Sequence, residues 1–319
     1  MAGSVTMNNN LMKKPTQKTI MSSIGVIGTI ACIAVFIKEP SFPTPDKLLV
    51  FLTFVFMIFN QAWDMLKRFV PFGAILLVYD SFRGIVPMLH GRVNYEFMAD
   101  FDIFLFGGAL PTMTLQNWWF QGHAVWYDYY FYIVYMMHFV LPLGLAVAVY
   151  KLREKEYWRY ATTFTVISFT AFFIYIIYPA APPWIATSNG TIPHIERISS
   201  EVYRGLGITN FPSVYNSIAP NPVAAVPSLH VGYSVLFSLF AFGLFGRKWG
   251  LASLIYPISM CIGVVYMGEH YVFDVIAGGL LAVAAYFIAP HVLRWFLFQV
   301  ARVRGRTEGM KLRRLPNKT

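Results

Sequence analysis

Long apolar stretches make up most of this chain, and short polar connections separate them. Hydrophobic residues account for 57% of the 319 residues and charged residues for only 13%, whereas a soluble protein has roughly 25% charged residues. A helix that rises ~1.5 Å per residue crosses the ~30 Å hydrocarbon core of a bilayer in about 20 residues. The sequence therefore predicts an all-α fold, a polytopic helical bundle in a membrane.

The apolar stretches predict about eight transmembrane helices. We place them at residues 20–37, 47–63, 70–89, 126–150, 160–179, 226–246, 249–268 and 272–293. Residues 20–69 are expected to hold two accessory helices. Residues 70–293 are expected to form the main membrane domain, with a core of six helices.

Basic residues fall mainly on the connections that lie on one side of this arrangement. The N-terminal tail (1–19), the turn at Arg247-Lys248 and the C-terminal tail (294–319) all belong to that side. Because Lys and Arg favour the cytoplasmic side of a membrane, we expect both termini to be cytoplasmic. These positions explain the net charge of +10 without a nucleic-acid partner.

Two long connections, residues 90–125 and 180–225, then lie on the extracytoplasmic or lumenal side. The first contains a Trp-Trp-Phe cluster at 118–120, which is typical of a segment at the depth of the lipid headgroups. The second is expected to form an ordered cap, because a loop of this length without a role is uncommon. The basic tail from Arg302 onward is expected to be disordered near anionic headgroups.

Two histidines flank a pair of apolar stretches near the C-terminus. His230 precedes residues 231–245, a basic turn follows, and residues 251–267 lead to His270. Because a hairpin of two spans returns the chain to the side it left, both histidines are predicted to emerge at the same membrane face. Asp274 lies four residues after His270, one helical turn away, so its carboxylate can meet the imidazole.

The His270 and Asp274 pair is a candidate for catalysis. A carboxylate that holds one imidazole nitrogen fixes the tautomer and leaves the other nitrogen available as a nucleophile or base. The structural alternative is a His–Asp hydrogen bond that closes a helix interface. A third interpretation is a zinc site formed by His230, His270 and Asp274 with one open position; it ranks lower because the sequence offers no obvious general base nearby.

Ser228 begins the sixth predicted span, directly after Pro227, a residue that is tolerated in the first turn of a helix. The unbonded amides of that turn, together with the Ser228 hydroxyl, favour an anion at the outer surface. The alternative is a capped helix that carries an interfacial histidine.

The third predicted span contains Tyr79, Asp80 and Arg83 in an otherwise apolar sequence. An ionisable residue within a membrane is costly and is therefore a functional candidate by default. We interpret Arg83 as a bidentate clamp for a phosphate, oriented by Asp80. The alternative is that these two residues pair with each other. Asp128 and His138, in the fourth span, are expected to be packing or interfacial groups.

The motif Pro-Ser-Leu-His at 227–230 and the motif His270-x3-Asp274, with two spans between them, resemble the type 2 phosphatidic acid phosphatase (PAP2) superfamily. Members of this superfamily are lipid phosphatases and phosphotransferases, and the usual motifs are Lys-x6-Arg-Pro, Pro-Ser-Gly-His and Ser-Arg-x5-His-x3-Asp. The resemblance covers roughly residues 70–290. It implies a PAP2-like catalytic domain over residues 70–293.

The chain departs from these motifs in three places. Leu229 replaces the usual Gly, Gly263 and Val264 replace Ser and Arg, and Lys-x6-Arg-Pro is absent from the sequence. These departures are similar to the inositol phosphorylceramide synthase branch of the superfamily. The same branch is indicated by Ala-Pro-Pro-Trp at 181–184 and by Tyr-Asp-x-x-Arg-Gly at 79–84.

The resemblance implies a role for each matching residue. His270 would attack phosphorus, Asp274 would orient it, and His230 would protonate the leaving oxygen. Because the usual motif Arg is missing, Arg83 is expected to replace it as the phosphate clamp. The other candidates for phosphate binding are Ser228, Asp80, Tyr79 and Arg204, with Arg197 as a further arginine of the cap.

The expected function is an integral-membrane lipid phosphotransferase that forms a phosphohistidine without a metal or cofactor. It would move a phosphate or phospho-headgroup from a phospholipid donor to a lipid or polyol hydroxyl at the extracytoplasmic or lumenal face. One alternative is a lipid or polyprenyl phosphate phosphatase of the same superfamily. An alternative of another class is a proton- or anion-coupled transporter, which would require polar residues along a path to the cytoplasm.

Overall fold

The computed structural model describes residues 16–38, 45–83, 93–207 and 221–313, with the backbone alone at 45–46, 76–77, 79–83 and 304–313. Helices dominate these residues, and no β-strand occurs among them. The helices are α1 Gln17–Lys38, α2 Pro45–Ile58, α3 Ala62–Arg83, α4 Phe97–Leu105, α5 Pro111–Trp119, α6 Trp126–Leu152, α7 Tyr157–Ile177, α8 Pro183–Ser188, α9 Ile198–Gly205, α10 Leu229–Phe245, α11 Arg247–Ser253, α12 Ile255–Tyr266 and α13 Val272–Arg313. The all-α prediction is therefore confirmed.

The chain comprises two compact units, Met1–Ala74 and Ile75–Thr319. In the first unit, α1 lies directly against α2. A Cβ atom added to Gly28 would come within 2.2 Å of the Phe54 ring, and one added to Gly25 within 2.6 Å of the Ile58 amide nitrogen. The backbone of α1 therefore lies against the backbone of α2 at Gly25 and against the Phe54 ring at Gly28, and a side chain at either glycine would force the helices apart.

The second unit is built around α10, which packs against α6, α7, α12 and α13. The helix α7 buries Tyr160, Phe164, Ile167 and Ala171, and this three- and four-residue spacing places them on one helical face. The central position of α10 follows from its composition, since its residues are apolar or small apart from His230, two serines and a tyrosine. This arrangement fixes the depth and direction of the helix that carries His230.

Among the described residues, five helices are long and apolar enough to cross a membrane: α1, α6, α7, the continuous stretch formed by α11 and α12, and the first 32 residues of α13. Two shorter apolar helices, within Lys47–Ile58 and Leu229–Phe245, match two further predicted spans. Large apolar side chains such as Ile27, Phe173 and Leu280 are more than half exposed. In a bilayer these side chains face lipid, so the chain is a multi-pass membrane protein.

Two of the predicted boundaries were wrong. The helix α3 begins at Ala62, eight residues before the start of the predicted third span, and its continuation at 84–92 lies outside the described residues. The last helix does not stop near residue 293 but continues to Arg313. The segment after Arg302 was expected to be disordered, yet its backbone is helical, because Arg, Lys, Glu, Met and Leu in this segment favour a helix.

The connection before α6 contains the short helices α4 and α5, and the connection after α7 contains α8 and α9. Isolated parallel bridges join Ala180 to Asn94 and to Ala224. Three distant parts of the chain therefore meet beside the start of α10. This meeting point positions the loops that surround the histidines.

Candidate active site

A tight turn between α12 and α13 holds His270. The backbone amides of Glu269 and His270 both donate to the Val264 carbonyl oxygen, each at 3.0 Å. Gly268 adopts a φ of 75°, a conformation that favours glycine. A Cβ atom at Gly268 would also come within 2.8 Å of the Glu196 carbonyl oxygen. The turn therefore needs glycine both for its backbone angle and for contact with the cap.

His270 and Asp274 form a buried pair across the first turn of α13. The Nδ1 atom of His270 lies 3.2 Å from Oδ2 of Asp274, and the side chains are 7% and 0% exposed. The same carboxylate oxygen accepts the Tyr271 backbone N–H at 2.9 Å. Because an ionised carboxylate only accepts hydrogen bonds, the network assigns a proton to Nδ1 of His270. Its Nε2 then carries the lone pair.

His230 lies directly against this lone pair. Its Nδ1 atom is 3.3 Å from Nε2 of His270, and the two ring centroids are 5.5 Å apart. The contact requires one donor and one acceptor, so the network assigns the donated proton to Nδ1 of His230. The structure thus brings together the three residues expected to be catalytic, in the order Asp274, His270, His230.

Ser228 lies where α10 approaches α13. Its backbone N–H donates to the Asp274 carbonyl oxygen at 3.1 Å. Its fully buried side chain accepts the Val231 backbone N–H at 3.4 Å, so it caps α10 as the structural alternative expected. A Cβ atom at Gly278 would lie only 2.2 Å from the Ser228 carbonyl oxygen. The absence of a side chain at Gly278 therefore allows α10 and α13 to touch.

Of the remaining candidates for phosphate binding, the structure describes the side chain of Arg204 alone. Arg204 is 76% exposed along its side chain and pairs with Glu201 on its own helix at 2.8 Å. The side chains of Tyr79, Asp80 and Arg83 lie outside the described residues. Their proposed role therefore stays a prediction.

Arg197 lies beside the turn that holds His270. Its guanidinium donates to both carboxylate oxygens of Glu269, at 2.9 and 3.3 Å, and stacks 4.1 Å above the Trp184 ring. Ser199 donates to the same carboxylate at 2.6 Å. Burial works to lower the pKa of Arg197, but the charge and hydrogen bonds of Glu269, with neighbouring tyrosines, outweigh it and raise the pKa. The pair ties the cap to the residue that precedes His270.

Asp102 is a site residue that the sequence did not reveal. It lies on α4, and its fully buried carboxylate accepts the backbone N–H groups of Val272 at 2.7 Å and of Phe273 at 2.9 Å. These two amides begin α13, where they have no partner within the helix. Asp102 therefore caps the helix that carries Asp274 from a position 170 residues away along the chain.

We expect Asp102→Ala to lower the stability of the protein. The substitution leaves two amides without their acceptor, which costs about 1–3 kcal/mol for each group that stays buried. Thermal unfolding in detergent, followed by intrinsic tryptophan fluorescence, should show a lower midpoint for this variant. Asp100→Ala is the matched control, because Asp100 is exposed on the same helix. Equal shifts of the unfolding midpoint in the two variants would show that the hydrogen bonds from α13 to Asp102 do not contribute to stability.

The Asp102 carboxylate makes the free energy of unfolding depend on pH. Desolvation by burial raises the pKa of Asp102 from 3.8 to about 6, with a smaller contribution from the Asp274 charge, although the two amide hydrogen bonds lower it. The folded protein therefore binds this proton more tightly than the unfolded chain does. Between pH 3.8 and about 6 the contribution of Asp102 to stability falls as the pH rises, and Asp102→Asn should remove that slope.

The helix α6 supplies two side chains that contact His230. The ring of Tyr135 stacks on the His230 ring with centroids 4.1 Å apart, and the ring of His138 lies 4.3 Å away. His138 was expected to be a packing or interfacial group, and no signal in the sequence connects it with His230. Asp128 caps α6 by accepting the Val125 backbone N–H at 2.7 Å, and it also accepts the Tyr266 hydroxyl at 2.6 Å.

Within the described residues, no group of three or more His, Cys, Asp or Glu side chains is arranged to hold a metal ion. The nitrogen atoms of His270 face Asp274 and His230 instead of converging on one point. The zinc interpretation therefore finds no ligand set in this part of the chain. The geometry instead suits a nucleophile, its orienting carboxylate and an adjacent acid.

Comparison with known proteins identifies similar sequences. The sequence profile described as the PAP2 superfamily matches residues 108–288. The phosphoinositol dihydroceramide synthase of Bacteroides thetaiotaomicron is 31% identical over 251 residues, which cover 74% of this chain and 78% of that protein. The inositol phosphorylceramide synthase catalytic subunit aur1 of Schizosaccharomyces pombe is 25% identical over 262 residues, which cover 72% of this chain and 58% of that protein. No solved structure matches the chain at a significant level.

Proposed function

Because the chain belongs to the PAP2 superfamily, in its branch similar to inositol phosphorylceramide synthases, we propose that it transfers a phospho-headgroup through a phosphohistidine at His270. Membership makes the protein an enzyme that acts on lipid phosphoesters, a lipid phosphotransferase. The phosphohistidine, the donor and the acceptor are the proposed parts. The observation that carries the proposal is the continuous contact from Asp274 through His270 to His230, at 3.2 and 3.3 Å.

In the first step, Nε2 of His270 attacks the phosphorus of a phospholipid. The N–P bond forms as the bond from phosphorus to the diacylglycerol oxygen breaks, and His230, protonated on both ring nitrogens, donates one proton to that oxygen and becomes neutral. Asp274 holds the Nδ1 proton of His270 and stabilises the positive charge that develops on the ring. Diacylglycerol leaves, and the phospho-headgroup stays on His270.

In the second step, the hydroxyl of a lipid or polyol acceptor attacks the phosphorus. His230, now neutral, takes the hydroxyl proton as a base, the new P–O bond forms, and the N–P bond to His270 breaks. Both histidines return to their starting states. A ceramide is the proposed acceptor, and it is supported by the relatives' names, which refer to ceramide and dihydroceramide products.

The phosphate oxygens need cationic or N–H donors. We keep Arg83 as the proposed clamp, with Tyr79, Asp80, Ser228 and Arg204 as its proposed partners. Arg197 is a further candidate because its guanidinium is partly exposed next to the catalytic turn. Both termini are proposed to be cytoplasmic and the site to face the extracytoplasmic or lumenal side, as the distribution of basic residues favours.

A transfer assay tests the proposed function. The purified protein is offered phosphatidylinositol labelled in the inositol ring, with and without a short-chain ceramide. We expect the label to move to a ceramide product only when ceramide is present, with diacylglycerol released in equal amount. Phosphatidylcholine labelled in its headgroup is the comparison for headgroup choice.

The outcomes of this assay separate the candidate functions. Label released as free inositol phosphate, at a rate that ceramide does not change, would indicate that water replaces the lipid acceptor and that the enzyme hydrolyses the phosphoester. If the protein turns over neither phosphatidylinositol nor phosphatidylcholine, the proposal that it uses a phospholipid donor is contradicted. Headgroup label that crosses the membrane of a proteoliposome without chemical change would indicate transport.

A further inference from the structure

Four rings from α6 and α10 form an alternating stack that includes His230. Their order is Tyr135, His230, His138, Tyr233, and neighbouring ring centroids lie 4.1, 4.3 and 4.8 Å apart. The corresponding interplanar angles are 19°, 37° and 8°. Each helix supplies two rings that are three residues apart, which is the spacing of side chains on one helical face. The two helices therefore contribute alternate rings to one stack.

The end of the stack beyond His138 is anchored on a third helix. The Tyr233 hydroxyl lies 2.5 Å from Oγ of Ser168 on α7. Because the Ser168 hydroxyl donates its own proton to the Phe164 carbonyl oxygen at 2.6 Å, Tyr233 is the donor in this contact. Tyr233 is only 8% exposed, so its ring cannot turn without disturbing the packing among α6, α7 and α10.

We propose that Tyr135 and His138 are positioning residues that hold the His230 ring for protonation of the leaving oxygen, an inference that rests on the function proposed above. An imidazole that acts as a general acid must point its N–H at one oxygen atom while the P–O bond breaks. Asp274 fixes the ring of His270 through a hydrogen bond. The stacked ring of Tyr135 and the tilted ring of His138 enclose the His230 ring and fix it, and the face of Tyr135 also stabilises positive charge on it.

The proposal concerns one step, the protonation of the diacylglycerol oxygen as it leaves phosphorus. As the N–P bond to His270 forms, the P–O bond to diacylglycerol breaks, and the proton of His230 moves to the diacylglycerol oxygen. An alkoxide is a poor leaving group and needs that proton, whereas a nitrophenolate leaves without one. Substitution of a residue that acts only through His230 should therefore slow a donor whose leaving group is an alkoxide and leave the rate with a nitrophenolate leaving group unchanged.

The test compares two donors on each variant. One is phosphatidylinositol, and the other is p-nitrophenyl phosphoinositol, in which nitrophenolate replaces diacylglycerol. Because general acids contribute about 10²–10⁴-fold, we expect Tyr135→Leu and His138→Leu to lose about 10- to 100-fold in kcat with phosphatidylinositol. With the nitrophenyl donor the loss should be less than about threefold, because that leaving group needs no proton. Tyr135→Phe and His138→Phe should regain most of the lost rate, because each restores a ring.

The matched control is Tyr150→Leu, the same substitution on the same helix at a ring that contacts Tyr157 instead of His230. The ratio of the two rates within one preparation does not depend on how much of the protein is folded, so a poorly folding variant still gives an answer. Equal losses with both donors, or no loss with either, would overturn the proposal. Wild-type protein that turns over neither donor would instead contradict the proposed function.

Discussion

His270→Ala should abolish phosphotransfer, with a loss of at least about 10⁴-fold in kcat, because hydrolases lose 10⁴–10⁶-fold when their nucleophile is removed. The structure gives this residue the lone pair on Nε2, and Asp274 and His230 each contact one of its two ring nitrogens. Without the imidazole there is no atom to accept the phospho-headgroup. Transfer of labelled inositol from phosphatidylinositol to ceramide is the measurement.

His291→Ala is the control for His270→Ala. His291 is an exposed histidine on α13, and its Nδ1 atom lies 3.1 Å from the Phe287 carbonyl oxygen of the same helix. In the absence of ceramide, the wild-type protein and this control should retain acid-labile label from the donor, as expected for a phosphorus–nitrogen bond. Retained label in His270→Ala would mean that a different residue forms the covalent intermediate.

The second large effect is expected for Asp274→Asn, about 10³- to 10⁴-fold in kcat by comparison with hydrolytic triads that lose their carboxylate. The carboxylate oxygen that faces Nδ1 of His270 also accepts the Tyr271 backbone N–H. An asparagine that keeps its oxygen toward the Tyr271 N–H still accepts the Nδ1 proton of His270, but it has no charge to stabilise the imidazolium. This loss acts on the chemical step and leaves the shape of the pocket nearly intact.

Kinetics distinguish this explanation from a loss of fold. We expect kcat to fall while KM for phosphatidylinositol stays within about threefold, because the lost interaction strengthens only in the transition state. Asp100→Asn, at an exposed position on α4, is the matched control. An Asp274→Asn protein that keeps more than a tenth of wild-type kcat would show that His270 does not depend on its carboxylate.

Local spacing explains why part of the site could be predicted from the sequence. His270 and Asp274 are four residues apart, so any helix that contains them brings them together. Two apolar stretches of nearly equal length between His230 and His270 form a hairpin, and a hairpin places its two ends at the same face. These inferences use only distances along the chain, and they do not depend on how the helices pack laterally.

The contacts that sequence reasoning missed come from distant segments. Asp102 meets α13 from the connection before α6, and Tyr135 and His138 meet His230 from a neighbouring helix. Nothing in the sequence separates a buried aspartate that caps a remote helix from an aspartate in an exposed turn. Likewise, two rings at helical spacing have the same pattern as ordinary packing residues.

The boundaries of the helices could be predicted only where a polar segment ends an apolar stretch. The helix α13 continues past its apolar part although it contains Pro290 and Gly305, because the segment is rich in basic residues and good helix formers. The start of α3 was misplaced for a similar reason, since Asp64, Lys67 and Arg68 lie inside its first turns.

Gly278 places a condition on any attempt to transplant this chemistry into another helical bundle. Copying the two imidazoles and the carboxylate onto a designed scaffold would not be sufficient, because ordinary side chains keep helix axes roughly 8–10 Å apart. At Gly278 the backbone of α13 lies so near Ser228 that even a methyl group would be 2.2 Å from its carbonyl oxygen. A designed scaffold would therefore need a glycine at this position as well as the two histidines and the aspartate.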